Sequence, residues 1–203
     1  MPAKQQSPRR QSIVAAAFAV LMEKGYAGAS TLEIARRARV SKRELYAEFG
    51  SKAGILEALI AETAAQMQVP LTSADVADRA SFVAALTAYG NAALGELSGP
   101  HVVAINRLAA AEAGRSSELG KILDTRGREP NRRALVAIIK TAQEAGILKP
   151  DEEPDIIAGH FFALLTGDLL LRLMLGVMKR PTAREIARRA EAATTAILRL
   201  HGV

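Results

Sequence analysis

Residues 30–60 read STLEIARRARVSKRELYAEFGSKAGILEALI and contain two short helical patterns joined by a tight connection, followed by the start of a longer one. Ser30 and Ser41 each precede a glutamate by three residues, which is the spacing of a capping box at a helix start. The stretch therefore predicts two short helices separated by a turn, with the second at residues 41–49.

The second of these helices has an apolar inner edge and a cationic first turn. Leu45 and Phe49 lie on one face at helical spacing, while Lys42 and Arg43 oppose the helix dipole at the other end. That placement is mildly unfavourable for stability, so it suggests another use. A DNA major groove is about 12 Å wide and accepts one α-helix with its N-terminal residues at the bases. We interpret the stretch as a helix-turn-helix DNA reader.

The composition favours helix and a basic N-terminal region. Of the 203 residues 49% are hydrophobic and only 4% are aromatic, and alanine, leucine, arginine and glutamate abound. Residues 1–60 hold ten basic and five acidic side chains, which would suit a phosphate-binding surface. The chain has no cysteine, which excludes disulfides, thiolate metal sites and cysteine nucleophiles.

Helical periodicity continues to the C-terminus and predicts an all-α fold of about nine helices. After a disordered arm at residues 1–8, the predicted helices are 9–24, 30–38, 41–49, 51–67, 82–97, 101–113, 117–126, 130–145, 155–178 and 181–200. We expect a three-helix DNA-binding head at residues 1–50 and a helical ligand-binding and dimerisation body at residues 51–203.

Other classes of site are not indicated. The histidines His101, His160 and His201 are too scattered to bind a metal, and His160 fits a packing role better than a ligand contact. No phosphate loop, nucleophile elbow or catalytic carboxylate pair occurs, so we expect neither an enzyme nor a cofactor.

The most membrane-like run, residues 161–178, is interrupted by Asp168 and Arg172 at helical pairing distance. It reads as a buried helix, with a membrane span as the weaker alternative. The N-terminus lacks the pattern of a signal peptide. We therefore expect a cytoplasmic protein without a membrane partner.

The head resembles the tetracycline-repressor (TetR) family of bacterial transcriptional regulators. The residues that carry the resemblance are Ser30, Thr31, Ile34, Ala35, Val40, Ser41, Lys42, Leu45, Tyr46, Phe49, Ser51, Lys52, Ile55 and Leu56. A weaker, mostly apolar likeness in the body covers residues 155–158, 167–168 and 171–172.

The resemblance implies a homodimer on a palindromic operator of double-stranded DNA, a small-molecule pocket among the body helices, and a dimer contact through the last two helices. Carried over by position, Thr31 would contact a phosphate at the start of its helix. Contacts to the DNA backbone would come from Lys42, Tyr46 and Lys52, and contacts closer to the bases from Arg43, Glu44 and Ala47.

Three places depart from the family pattern. Arg39 stands where glycine is frequent in the turn, and a positive φ there would cost arginine on the order of 1 kcal/mol. Ala47 and Glu48 stand where the family often has a His or Tyr pair. Arg43 and Glu44 stand where small and hydroxyl residues are common. Glu44 has two interpretations, capping of Ser41 and cytosine readout, of which capping is slightly favoured.

Aromatic and polar groups mix in the body and form a candidate effector pocket, although core packing suits each of them individually. The candidates are Phe82, Tyr89, Asn106, Phe161, Phe162 and Thr166. With so few aromatic residues, the pocket would be largely aliphatic and suit an apolar ligand. The last two helices carry more apolar surface than one body needs to bury, which predicts the dimer face.

Together these features predict a ligand-responsive transcriptional regulator, most simply a repressor that an effector releases from DNA. The alternatives are a DNA-binding regulator or activator without a ligand, and a helical small-molecule-binding protein or enzyme with a vestigial head.

Overall fold

The computed structural model describes residues 8–203 and confirms the predicted all-α class, with no strand among them. Its α-helices are α1 (Pro8–Gly28), α2 (Thr31–Ala38), α3 (Lys42–Phe49), α4 (Lys52–Thr72), α5 (Arg79–Leu97), α6 (Pro100–Glu112), α7 (Glu118–Ile122), α8 (Glu129–Glu144), α9 (Pro154–Thr166), α10 (Leu169–Met174) and α11 (Ala183–His201). A π-helical turn, Leu123–Arg128, precedes α8. Of the arm predicted at residues 1–8, residues 1–7 lie outside the described residues, and Pro8 begins α1.

The chain forms two compact units. The first runs up to Glu62 and includes Ala104–Arg126, and the second comprises Thr63–Val103 and Gly127–Val203. The first unit has an apolar core from α1 to α4, α6 and α7, in which Val20 and Leu45 are fully buried. These units follow packing, whereas the functional division after residue 50 stays a prediction.

The second unit is built around close contacts between α5, α9 and α11. Phe82, Leu86 and Phe161 are fully buried in its core. At Gly90 on α5, an added Cβ would lie 2.9 Å from the Cβ of Ala190 on α11 and 3.2 Å from Leu165 on α9. The absence of a side chain at this glycine therefore allows the helices to approach closely.

The predicted helix boundaries differ most from the structure in three places. The helix expected at residues 155–178 is interrupted at Gly167, whose φ is 49°, and resumes as α10. Pro70 lies inside α4 instead of ending it, because a proline so near the last turn removes only one terminal hydrogen bond. The helix expected at residues 117–126 is the short α7 followed by the π-helical turn. By contrast, the predicted stop at Gly25 is confirmed by its φ of 71°.

The C-terminal end of α11 is held by a chain of side-chain hydrogen bonds. His160 Nδ1 on α9 lies 3.0 Å from His201 Nε2, and the other ring nitrogen of His201 bonds to Glu152. The Lys149 ammonium donates to the Leu200 carbonyl oxygen at 2.9 Å. His160 is exposed, but its ring is hydrogen-bonded and stacks on the His201 ring with 5.2 Å between the ring centres, which fits the predicted packing role.

The stability that these contacts give to this end of the second unit should decrease as the pH falls. The hydrogen bond from His201 holds the pKa of the Glu152 carboxyl below its ordinary value of 4.5. A carboxyl with a lowered folded pKa stabilises the fold above the unfolded pKa, and this contribution is lost as the pH falls through the folded pKa. We expect Glu152→Gln to be less stable than the wild type at pH 6, with a difference that shrinks towards pH 3.

Chemical denaturation across that pH range measures the effect. The control is Glu153→Gln, because the exposed Glu153 side chain makes no ion pair or hydrogen bond with the residues in the structure. A difference for Glu152→Gln that stays constant with pH would contradict the assignment.

Candidate nucleic-acid interface

α2 and α3 form the predicted helix-turn-helix, and local hydrogen bonds begin both helices. The Ser30 hydroxyl accepts from the Glu33 backbone N–H at 3.2 Å. At α3 the capping box is complete, since Ser41 accepts from the Glu44 backbone N–H at 3.1 Å and Glu44 accepts from that of Ser41 at 2.8 Å. Both predicted N-caps are therefore confirmed.

The turn between the two helices is left-handed at Arg39, which has φ 54° and ψ 42°. Arg39 is the one non-glycine residue with positive φ in residues 8–203. Its backbone N–H donates to the Arg36 carbonyl oxygen at 3.2 Å, and that of Val40 donates to Ala35 at 3.0 Å. These bonds end α2 in the way that glycine usually does, despite the side chain.

Arg39→Gly should therefore raise the free energy of unfolding by about 1 kcal/mol, because glycine adopts this conformation without a Cβ penalty. Chemical denaturation measures the change. Arg39→Ala is the control, since it removes the same charge and keeps the strain. Equal stabilisation by both substitutions would show that charge, not backbone conformation, is responsible.

α3 has a solvent-facing surface with a cationic first turn, and its opposite side is buried. Leu45 is fully buried, and Phe49 is half-buried against the core of the first unit. The predicted DNA contacts on α3 other than Glu44 are exposed, and these are Lys42, Arg43, Tyr46 and Ala47. Glu48 is also exposed on this helix.

Thr31 and Tyr46 are brought together across the two helices. The Thr31 hydroxyl lies 3.0 Å from the Tyr46 hydroxyl, and the Lys42 ammonium lies 5.7 Å from the centre of the Tyr46 ring. Two hydroxyls and one ammonium thus converge near the N-terminal ends of α2 and α3. Such groups can bind a phosphate jointly.

Glu44 and Lys52 already have partners within the protein. Besides capping Ser41, Glu44 pairs with Arg9 Nη2 at 2.5 Å, and the backbone N–H of Ser41 holds the pKa of its carboxyl below the ordinary value. The Lys52 ammonium donates to the Tyr26 carbonyl oxygen at 2.6 Å and lies 4.3 Å from the Tyr26 ring centre. This bond uses one of the three donors of the ammonium.

Sequence reasoning missed Arg9 and Arg10 at the start of α1. Arg9 pairs with Glu44, and Arg10 donates to Glu48 Oε1 at 2.9 Å. Nothing in the local pattern of α1 indicates these contacts, because Arg10 and Glu48 are 38 positions apart in the chain. The two acidic side chains of α3 are both neutralised from this one helix.

Five of the six predicted pocket residues lie in the second unit, whereas Asn106 belongs to the first. Phe82, Tyr89 and Phe161 are fully buried, and the Tyr89 and Phe161 ring centres are 6.1 Å apart. Burial raises the pKa of the Tyr89 phenol. Phe162 and Thr166 are half-buried, and Thr166 donates to the Phe162 carbonyl oxygen at 2.8 Å.

A separate cavity of about 210 Å³ lies on α8 and the start of α9. It includes none of the predicted pocket residues and is lined by Arg132, Arg133, Val136, Ala137, Lys140 and Asp155.

Two family models match the chain, one over its N-terminal part and one over its C-terminal part. Bacterial regulatory proteins of the tetR family match residues 13–59, and the C-terminal domain of AefR-like transcriptional repressors, a TetR domain, matches residues 84–203. The chain belongs to the TetR family. It is therefore a DNA-binding transcriptional regulator and not an enzyme.

Three relatives illustrate the similarity of this TetR-family regulator to known proteins. A TetR transcriptional regulator from Agrobacterium tumefaciens is 30% identical with a TM-score of 0.75, over 97% of this chain and 96% of the other. The flavonoid-responsive regulator FrrA is 28% identical with a TM-score of 0.74, over 96% and 97%. The HTH-type transcriptional regulator YvkB of Bacillus subtilis is 27% identical, over 83% of this chain and 85% of YvkB.

TetR regulators bind DNA and small-molecule effectors and act as dimers. In the TetR regulator described here, no helix within residues 8–203 is both long enough and apolar enough to cross a membrane.

Proposed function

We propose that the protein is a cytoplasmic, ligand-responsive repressor that binds a palindromic operator as a homodimer and is released by a small, apolar effector. The observation that carries this proposal is α3, an eight-residue helix with a buried Leu45 and an exposed cationic first turn. The match to a domain of transcriptional repressors supports the direction of control.

The DNA contacts would divide between the backbone and the bases. Thr31, Lys42, Tyr46 and Lys52 would contact phosphates, which fixes position without reading sequence. Arg43, Glu44 and Ala47 would lie closer to the base edges. In this division residues 1–50 bind DNA, and residues 51–203 bind the effector and the second protomer.

The dimer face would lie on the last part of the chain, where large apolar side chains are exposed. Ile156 is 53% exposed, Leu171 57% and Leu175 66%. Exposed apolar patches of this kind mark interaction sites. On the adjacent half-sites of a palindromic operator, the two α3 helices of the dimer would lie about one DNA turn apart, roughly 34–36 Å.

The effector would contact the aromatic and polar set of the second unit, Phe82, Tyr89, Phe161, Phe162 and Thr166, and Asn106 of the first unit stays a separate prediction. Phe82, Tyr89 and Phe161 lie in an apolar core, so an effector that reached them would be apolar. FrrA is flavonoid-responsive, and its similarity over nearly the whole chain makes a flavonoid the first effector class to test.

Selection of bound DNA from a random pool tests the proposal directly. We expect a palindromic consensus that binds at least about 1,000-fold more tightly than a scrambled duplex of equal length. Naringenin, a flavonoid, should release the selected duplex in fluorescence anisotropy. Selection without a consensus would refute the operator, and a selected duplex unaffected by flavonoids would refute this effector class.

The oligomeric state is tested with a matched pair of charged substitutions. Leu171→Glu should give a monomer in analytical ultracentrifugation at micromolar concentration. Val69→Glu is the control, because Val69 is 53% exposed on α4 and does not belong to the last helices of the chain. A wild-type monomer, or dimers in both variants, would contradict the proposed interface.

A further inference from the structure

The guanidinium of Arg10 on α1 joins α3 to α4. Its Nη1 donates to Glu48 Oε1 in the last turn of α3 at 2.9 Å, and its Nε donates to Glu62 Oε1 on α4 at 3.0 Å. The guanidinium carbon lies 4.8 Å from the centre of the Phe49 ring. We infer that Arg10 is a positioning residue for DNA reading, which sets the orientation of α3 through Glu48 and Phe49. The inference rests on the proposal that α3 reads the operator.

Partial burial makes this network more rigid than an ordinary surface ion pair. The Arg10 side chain is 24% exposed and that of Glu62 27%, against 62% for Arg9, while Glu48 is 46% exposed and Glu44 41%, so the burial lies on the side of Arg10 and Glu62. Arginine is also planar, so hydrogen bonding in its plane and stacking on Phe49 fix its orientation together. The carboxylates of Glu48 and Glu62 accept from different nitrogens of the Arg10 guanidinium.

α3 needs a contact at this end because it is only eight residues long. Its start is held by the capping box with Ser41, and one side by the hydroxyl contact from Tyr46 to Thr31. Its end is held by Phe49 and by Arg10 through Glu48. A roll of about 10° moves a side-chain tip about 6 Å from the helix axis by about 1 Å, which exceeds the tolerance of a hydrogen bond.

The contact between Arg10 and Glu48 also pairs a negative charge on α3 that DNA would otherwise repel. Glu48 is exposed on a helix proposed to enter the major groove, and its carboxylate is of the same sign as the phosphates. Pairing with Arg10 offsets that charge and directs the carboxylate towards α1. Arg10 acts through Glu48 and Phe49, and its side chain does not itself contact DNA.

A double-mutant cycle tests the assignment. The variants are Arg10→Gln, Glu48→Gln, the double substitution and the charge-conserving Arg10→Lys. Affinities are measured for the selected duplex and for its scrambled counterpart over a series of salt concentrations. Lys42→Gln is the control for a phosphate contact, and it should weaken both duplexes alike and reduce the salt slope by about 0.9.

We expect Arg10→Gln to weaken binding of the selected duplex about tenfold, the size of one lost base contact, while the scrambled duplex changes less than about twofold. Arg10→Lys keeps the charge, so its salt slope should stay unchanged. Arg10→Lys should lose the same discrimination because it cannot bridge and stack as arginine does. Adding Glu48→Gln to Arg10→Gln should cause no further loss, since both substitutions break one contact.

Three results would overturn the inference. A salt slope reduced as in Lys42→Gln, with rescue by Arg10→Lys, would make Arg10 a phosphate contact. Additive losses from Arg10→Gln and Glu48→Gln would remove the coupling. Equal losses on both duplexes, matched by a lower active fraction in stoichiometric titration, would reduce Arg10 to a structural role. A wild-type protein that does not discriminate between the duplexes would refute the proposed function, and the positioning role with it.

Discussion

Gly90→Leu is expected to lower the free energy of unfolding by about 3 kcal/mol, because no space exists for a side chain where α5 meets α11. An added Cβ alone would lie 2.9 Å from the Cβ of Ala190, and both residues are fully buried. Relief requires the helices to separate, which also disturbs the hydrogen bond of 3.1 Å between the Thr87 and Thr194 hydroxyls. Chemical denaturation of the variant measures the loss.

The same helix supplies a matched control at Gly95. An added Cβ there meets no other atom within 4 Å in the described part of the chain. Gly95→Ala should therefore stabilise the protein by about 0.5–1 kcal/mol through helix propensity alone. If Gly90→Ala stabilised the protein as much as Gly95→Ala does, the close approach of α5 and α11 would be wrong.

Leu45→Ala is expected to cost about 3 kcal/mol in the first unit and to abolish operator binding. Leu45 is fully buried and is the main apolar anchor of α3. Truncating a buried leucine leaves a cavity that the surroundings fill only partly. Because α3 has only eight residues, its helical state depends on this packing more than on its own propensity.

Leu32→Ala is the matched control, since Leu32 is 66% exposed on the neighbouring α2. Its effect on stability should stay within about 0.5 kcal/mol. Denaturation followed by circular dichroism gives both stabilities, and anisotropy with the selected duplex gives binding. A Leu45→Ala protein as stable as the wild type would mean that α3 is not anchored as described.

The helices and their ends could be predicted because their signals are local. Ser30 and Ser41 accept hydrogen bonds from N–H groups three residues away, and Gly25 ends the first part of α1 with a positive φ. Such contacts need no information from distant parts of the chain. Gly167 gave the same kind of signal inside residues 155–178, but the surrounding apolar run favoured one continuous helix in the prediction.

The left-handed turn at Arg39 shows how much of the backbone conformation a local sequence pattern can predict. The glycine that is frequent at this position in the family made a positive φ conceivable here, and the structure has one. The position favours glycine, but the residue is arginine, so its local preference opposes the conformation. The capped helices on either side, and the burial of Ile34 and Leu45, hold the backbone in place.

Sequence alone was enough to predict the all-α class, the helix-turn-helix and the exposed cationic start of α3, because these depend on residues a few positions apart. Tertiary structure alone assigned partners to the charges on that helix. Arg10 meets Glu48 and Glu62 across 38 and 52 positions, and Lys52 meets Tyr26 across 26. Side-chain contacts over such separations exist only after the helices have packed, and periodicity within one helix carries no information about them.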